Sequence, residues 1–213
     1  MPRFRLPFPM RPRRPGRRLG RHWTYGVATA LALSLFLLAD RGGLFGHANQ
    51  PDWDKYQDRT FAVAKVADGD TVDLDVPDGG HSHTRIRLLG VDTPETVAPD
   101  KPVGYFGPQA SAFTKKTLLG KNVKVELDRT RTRDKYDRLL AYLLLDNGEN
   151  LSLLLIREGY GYADPRFGHP LVRQCKAAQA EAIKNSRGLW AGVSDADLPY
   201  YYQGKLKLPA AKN

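Results

Sequence analysis

Apolar and polar residues alternate along four stretches of the chain between residues 60 and 146. A period of two residues is typical of strands with one buried face, and turn-forming sequences separate the stretches. Two such turns are Pro-Asp-Gly-Gly at residues 77–80 and Asn-Gly at residues 147–148. The first stretch is long enough for two strands, so the pattern predicts about five. The stretches are Phe61–Val76, Thr84–Val91, Val123–Asp128 and Leu139–Asp146.

Three other stretches have helical periodicity: Pro108–Leu119, Leu151–Gly159 and Leu171–Asn185. Proline opens the first of them and Gly120 follows its end, which is the arrangement that helix termini favour. Strands in the first half with helices inserted late predict a mainly β fold with α-helices, of the α+β class. We expect a small, partly open barrel with about three helices packed on it.

A hydrophobic run of a different kind precedes this domain. Trp23–Ala39 contains no charge and no proline, and as a helix it would be about 25 Å long, close to the roughly 30 Å of a bilayer core. The arginine-rich residues 1–22 predict that the N-terminus stays in the cytoplasm and the rest is exported. We therefore predict a single-pass anchor in the cell membrane. The alternatives are a secreted protein, cleaved near Gly46–Ala48, and a buried helix of a soluble domain.

These features predict the order of segments along the chain. They are a disordered cytoplasmic leader at 1–22, a transmembrane anchor or signal peptide at 23–39, a linker at 40–59, the folded domain at 60–190 and a loosely ordered tail at 191–213.

The net charge and the single cysteine exclude few classes of function. The net charge is +10, but residues 1–22 contain eight arginines and no acid, so the remainder carries only +2. The charge is mostly a property of the leader and does not by itself indicate that the folded part binds nucleic acid. Cys175 is the only cysteine, which excludes an intramolecular disulfide, and its place in a helical pattern predicts a buried structural thiol.

The ends of the predicted strands carry residues suited to a hard cation. Asp70 lies where the first two strands meet, and Asp92 and Thr93 close the next strand. Calcium binds several oxygen ligands, including carboxylates and backbone carbonyls. If the two loops meet, Asp70, Asp92 and the carbonyl of Thr93 form a candidate calcium site.

Two arginines and a glutamate complete a set suited to phosphodiester hydrolysis. Arg87 lies five residues before Asp92, and Arg138 opens the last predicted strand. Guanidinium groups stay charged and bind two phosphate oxygens at once. Glu95 follows the predicted metal ligands closely and is a candidate to orient or deprotonate the attacking water.

Five motifs, in this order, resemble the staphylococcal-nuclease (thermonuclease) family over roughly residues 60–190. They are VADGDTVDL, RIRLLGVDTPET, FGPQASAFTKK, DKYDRLLAYL and RGLW. The resemblance implies a five-stranded OB-type barrel with three helices and a calcium-dependent nuclease. It implies catalytic roles for Arg87, Glu95 and Arg138 and Ca²⁺ ligation by Asp70, Asp92 and Thr93. It also implies phosphate contacts from Lys135 and Tyr136 and a supporting carboxylate at Asp68.

The sequence departs from the family pattern in three places. Asp137 stands where the family usually has glycine, and it could pair with Lys135 or weaken phosphate binding. The loop before Arg87 holds His81 and His83, which fit an exposed loop tip or, less well, a transition-metal site. The family's base-stacking tyrosine loop does not align cleanly; the candidates for that role are Tyr160, Tyr162 and Phe167.

The sequence therefore predicts a monomeric nuclease acting on single-stranded DNA or RNA by metal-activated attack of water. The alternative is a catalytically inactive module of the same fold that binds nucleic acid or protein.

Overall fold

The computed structural model describes Ser34 and residues 50–96 and 102–208. Residues 50–96 and 102–208 contain four α-helices: α1 (Gln50–Tyr56), α2 (Gly107–Leu118), α3 (Leu151–Arg157) and α4 (Val172–Lys184). The strands are β1 (Thr60–Asp68), β2 (Thr71–Leu74), β3 (Thr84–Leu88), β4 (Val91–Asp92), β5 (Asn122–Leu127), β6 (Leu139–Leu144) and β7 (Tyr162–Ala163).

Five strands form a closed barrel in the order β1-β2-β3-β6-β5, with β5 returning to β1. All pairings are antiparallel except that of β3 with β6, which is parallel. Alternate residues of β5 are buried and exposed, as expected for strands with one face against a core. The predicted five-stranded α+β barrel is confirmed. It is closed rather than partly open, because β1 and β5 pair at Thr60–Ala62.

The three predicted helices are present as α2, α3 and α4. Pro108 lies in the first turn of α2, and Gly120 beyond its end adopts the left-handed conformation with φ 73°. The side chain of Asn150 caps α3 by accepting hydrogen bonds from the backbone N–H groups of Ser152 and Leu153. Cys175 is buried within α4, as predicted.

A fourth helix, α1, lies in the segment predicted to be a linker, and a network of charges ties it to the barrel. Arg133 donates to both carboxylate oxygens of Asp52 on α1, at 2.6 and 2.8 Å. The same guanidinium donates to Asp78 at 2.7 and 3.0 Å. Thr132 adds a bond from its hydroxyl to Asp52 at 2.9 Å. Residues 50–59 therefore belong to the folded unit and not to a free linker.

The C-terminal segment also differs from the prediction of a loosely ordered tail. Residues 192–208 run through a short 3-10 helix and pack on the domain, burying Val193, Leu198, Tyr201 and Tyr202. With Tyr162 and Trp190, these side chains form a hydrophobic cluster separate from the barrel core. It is called the second hydrophobic cluster below. Aromatic and aliphatic burial explains why this segment is ordered.

The N-terminal predictions fall on residues that lie outside the described part of the chain. These are the leader at 1–22 and, apart from Ser34, the hydrophobic segment at 23–39. Within the described residues, no helix has both the length and the hydrophobicity needed to cross a bilayer.

Candidate active site

A single cleft of about 730 Å³ at one end of the barrel is lined by every predicted site residue. The sequence predicted that separate loops would meet, and the described structure places them together. The predicted residues on this cleft are Asp68, Asp70, Arg87, Asp92, Thr93, Glu95, Lys135, Tyr136 and Arg138.

The pairing of β2 with β3 brings Asp70 to Arg87, because Thr71 lies opposite Arg87 in the antiparallel register. The Nη1 atom of Arg87 forms an ion pair with Oδ2 of Asp70. The same oxygen accepts hydrogen bonds from the backbone N–H and the hydroxyl of Thr93, at 2.9 and 3.1 Å. Thr71 donates its hydroxyl to the other oxygen at 3.1 Å. Asp70 is therefore held by Thr71 on β2, Arg87 on β3 and Thr93 directly after β4.

Asp92 is positioned by a small two-stranded sheet in which β4 pairs with β7. Its Oδ1 atom accepts a hydrogen bond from Nη2 of Arg87 at 2.6 Å. Its Oδ2 atom accepts one from the hydroxyl of Tyr201 at 2.6 Å and lies 3.0 Å from Nη2 of Arg166. Arg87 thus joins Asp70 and Asp92 through one guanidinium group.

Burial and neighbouring charges both shift the pKa values of Arg87 and Asp92. Burial by itself lowers the pKa of Arg87, but the adjacent carboxylates of Asp70 and Asp92 outweigh it and hold that pKa above its ordinary value. Burial raises the pKa of Asp92; Arg87 offsets part of this rise, and the charge of Asp70 adds to it. The cleft therefore holds two closely spaced acids around a fixed positive charge.

Asp68 and Glu95 are linked through Thr96. Asp68 accepts a hydrogen bond from the Thr96 hydroxyl at 2.6 Å, and burial raises the pKa of this carboxyl group. Glu95 is half-buried and accepts one from the Thr96 backbone N–H at 3.1 Å. Gly69, beside Asp68, has no room for a side chain, since a Cβ atom there would lie 2.6 Å from Oγ1 of Thr93.

The turn before β6 carries Arg138. Asp134 accepts from the backbone N–H groups of Tyr136 and Arg138, at 2.9 and 3.1 Å, and from Nε of Arg138 at 2.8 Å. The parallel pairing of β6 with β3 places Leu139 opposite Ile86. Arg138, which directly precedes β6, and Arg87 on β3 consequently both line the cleft.

Asp137 adopts a left-handed conformation with φ 62°, which aspartate tolerates better than most residues and which accounts for the glycine expected there. Its carboxylate lies 3.5 Å from Nη1 of Arg133, and its carbonyl accepts from the same atom at 3.0 Å. Lys135 instead lies with its ammonium group 4.8 Å from the centre of the Tyr136 ring. The suggested pairing of Asp137 with Lys135 is therefore replaced by one with Arg133.

The remaining sequence candidates fall in different environments. Tyr162 is buried in the second hydrophobic cluster, and Tyr160 stacks on Phe113 with ring centres 4.1 Å apart. Phe167 is 52% exposed and lines the cleft. Of the three stacking candidates, Phe167 has the position that a base-stacking role requires.

His81 and His83 are exposed on the loop between β2 and β3. Residues 50–96 and 102–208 contain no group of three or more His, Cys, Asp or Glu side chains arranged to hold a metal. The histidine pair therefore has no third ligand of these types in the described part of the chain.

Two residues at the site were missed in the sequence: Arg166 and Tyr201. Arg166 donates to both oxygens of Asp164, at 2.9 and 2.7 Å, and this bond raises the pKa of Arg166. It also pairs with Asp92. The run of three tyrosines at 200–202 was the available signal for Tyr201, because clustered aromatics favour a packed segment.

Comparison with known proteins identifies the family. A family model described as "Staphylococcal nuclease homologue" matches residues 85–192. The thermonuclease of Staphylococcus intermedius is 37% identical over 170 residues, covering 77% of this chain and 93% of that protein. The chain belongs to the staphylococcal nuclease family.

Other relatives of this family agree. The thermonuclease of Staphylococcus hyicus is 33% identical over 168 residues, covering 78% of this chain and 93% of that protein. The endonuclease YhcR of Bacillus subtilis is 34% identical over 137 residues, which are 60% of this chain and 11% of that protein. Membership in the staphylococcal nuclease family makes this chain a nuclease, that is, a phosphodiesterase.

Proposed function

We propose that this protein is a calcium-dependent nuclease that hydrolyses single-stranded DNA or RNA at the outer face of a membrane. The observation that carries the proposal is the convergence of two carboxylates, two arginines and Glu95 on one cleft. Each group alone has an ordinary structural role, but together they supply what phosphodiester hydrolysis needs.

The donor atoms at this cleft fit a hard cation. Asp70 and Asp92 direct carboxylate oxygens to the same guanidinium, so they are close enough to serve one ion. Thr93 adjoins Asp92 in sequence and bonds to Asp70, which favours its carbonyl as a third ligand. Calcium takes six to eight oxygen ligands and accepts waters for those the protein does not supply. A bound cation would supply positive charge to the phosphate and acidify a water molecule.

The arginines are suited to the charge that develops on the phosphate. A guanidinium has five N–H donors. Arg87 donates one hydrogen bond to Asp92 and is ion-paired with Asp70, so the group is anchored and has further donors for a phosphate. Asp134 holds Arg138 in the same way. Fixed donors of this kind stabilise a transition state without reorganising during the reaction.

Glu95 is suited to the proton transfer. It lines the cleft beside the predicted ligands, and its bond from the Thr96 N–H fixes one carboxylate oxygen. A positioned carboxylate can take the proton from an attacking water, and such catalysis contributes about 10²–10⁴-fold to the rate.

Exposed aromatic and basic side chains around the cleft favour a single-stranded nucleic acid. Tyr136 and Phe167 are 67% and 52% exposed, with Lys135 next to the first. Arg131 and Arg166 each lie 5.8 Å from the centre of the Phe167 ring. Bases stack on such rings when they are not paired, and cations contact the backbone phosphates.

The activity test compares the full chain in calcium and in excess EGTA, in mild detergent, on single-stranded DNA and RNA. We expect EGTA to abolish cleavage and Glu95→Gln to reduce kcat by about 10²-fold or more. Glu126→Gln, an identical change on the exposed face of β5, is the matched control and should retain activity. Binding without cleavage by the wild-type protein would instead support the inactive module, and cleavage in EGTA would refute the calcium requirement.

Localisation needs a separate test. The uncharged run at 23–39 after an arginine-rich leader supports export with the nuclease domain outside. In intact cells, added protease should degrade the domain, and the protein should stay in the membrane fraction. Release into the medium with a new N-terminus near residue 49 would establish secretion instead. Protection of the domain from protease would refute export.

A further inference from the structure

The C-terminal segment contributes a hydrogen bond to the cleft. The hydroxyl of Tyr201 donates to Oδ2 of Asp92 at 2.6 Å, between residues 109 positions apart. This length is typical of a strong hydrogen bond to a charged acceptor. The bond therefore joins the C-terminal segment at 192–208 to a predicted metal ligand.

Tyr201 is held firmly where it makes this bond. Its side chain is buried, and its ring contacts those of Tyr200 and Tyr202. The guanidinium of Arg166 lies 5.0 Å from its ring centre. Lys205 donates to its backbone carbonyl at 3.0 Å. A donor fixed in this way loses little freedom when it bonds to Asp92.

The two oxygens of Asp92 consequently have different partners. Oδ2 faces Tyr201 and Arg166, both from the C-terminal half of the chain. Oδ1 faces Arg87 and, through it, Asp70. Rotation of the carboxylate would break bonds on both oxygens.

We propose that Tyr201 is a positioning residue that orients Asp92 for the cation. Its hydroxyl binds Oδ2 while Arg87 binds Oδ1, so the carboxylate has little rotational freedom. This inference rests on the proposed function, in which Asp92 is a metal ligand. Groups that bond to metal ligands in this way typically change metal affinity or activity by about 10–100-fold when they are removed.

Two competing roles for the Tyr201 hydroxyl predict different results. If the bond from the Tyr201 hydroxyl only stabilises the fold, its loss should lower the melting temperature without changing calcium affinity. If the hydroxyl competes with the cation for Oδ2, its removal should increase calcium affinity.

The experiment uses Tyr201→Phe in the full chain in mild detergent, with Tyr202→Phe as the matched control. Tyr202 is its buried neighbour and donates a bond of the same 2.6 Å length, but to the carbonyl of Ala163. Calcium binding is measured by isothermal titration calorimetry, and the melting temperature of each protein by circular dichroism. The calcium concentration that gives half-maximal cleavage is a second readout.

We expect Tyr201→Phe to raise the calcium Kd and the half-maximal calcium concentration by about 10-fold or more. Saturating calcium should restore most of its kcat, because the defect lies in metal binding. Tyr202→Phe should leave both calcium values unchanged, whatever its melting temperature. An unchanged or lower Kd in Tyr201→Phe, or an equal rise in Tyr202→Phe, would overturn the positioning role. Absence of calcium binding by the wild-type protein would refute the proposed function itself, and the inference with it.

Discussion

Arg133 joins α1 to the barrel, and its replacement by methionine should destabilise the protein strongly. The guanidinium makes four hydrogen bonds of 2.6–3.0 Å to the carboxylates of Asp52 and Asp78. Asp52 is only 5% exposed, so the substitution leaves a buried carboxylate whose remaining bond comes from the Thr132 hydroxyl. Removing one partner of a buried ion pair costs about 3–5 kcal/mol. Methionine keeps much of the apolar stem, so most of this loss reflects charge.

The assay is urea unfolding followed by tryptophan fluorescence, because Trp53 lies on α1 and Trp190 in the second hydrophobic cluster. The matched control is Arg157→Met. Arg157 pairs with Glu149 at the same 2.6 Å distance, but its side chain is 39% exposed. Exposed pairs contribute about 0–1 kcal/mol, so the control should change the free energy of unfolding little. Equal losses in the two variants, or a loss below about 1 kcal/mol for Arg133→Met, would refute the argument that burial decides the effect.

Three further predictions test other parts of the molecule. Burial raises the pKa of Cys175 to about 11, so between the ordinary thiol pKa of about 8.5 and that value the native thiol stays protonated. Iodoacetamide should then label it far more slowly than in guanidinium chloride; equal rates would contradict its burial. Gly69→Ala should displace Thr93, which donates to Asp70. The calcium concentration that gives half-maximal cleavage should then rise by about 10-fold, and an unchanged concentration would contradict the importance of this contact. Phe167→Ala should weaken binding of a single-stranded oligonucleotide by about 1–3 kcal/mol, measured by fluorescence anisotropy in EGTA, and unaltered affinity would exclude stacking there.

The barrel and three of its helices were predictable because their signals are local. Strands with one buried face have a two-residue period, and β5 shows it without interruption. The ends of α2 carry the proline and glycine that terminate helices. The residues on the cleft were predictable for a related reason, since they lie in strand ends and turns where motifs are contiguous.

The parts that the sequence did not predict depend on distant contacts. Helix α1 has seven residues, too few for a clear periodicity, and its buried Asp52 is stabilised by Arg133, 81 positions away. Arg166 reaches Asp92 only because β4 pairs with β7, and strands of two residues leave no pattern. The packing of Tyr201 likewise requires the rest of the domain. Helix α1 and the contact of Arg166 have no local signature in the sequence, and the run of three tyrosines at 200–202 shows at most that Tyr201 lies in a packed segment.

The position of Tyr201 has a consequence for the order in which the protein is completed during synthesis. The barrel strands end by Leu144 and helix α4, which contributes Cys175 to the same core, ends at Lys184, so all of these elements are synthesised before residues 192–208. Until then Asp92 has its bond to Arg87 but not the one from Tyr201. A chain that stops before this tyrosine, whether nascent or clipped by a protease, is expected to be folded yet unfinished at Asp92. Residues 192–208, and not the barrel strands, complete the hydrogen bonds of Asp92.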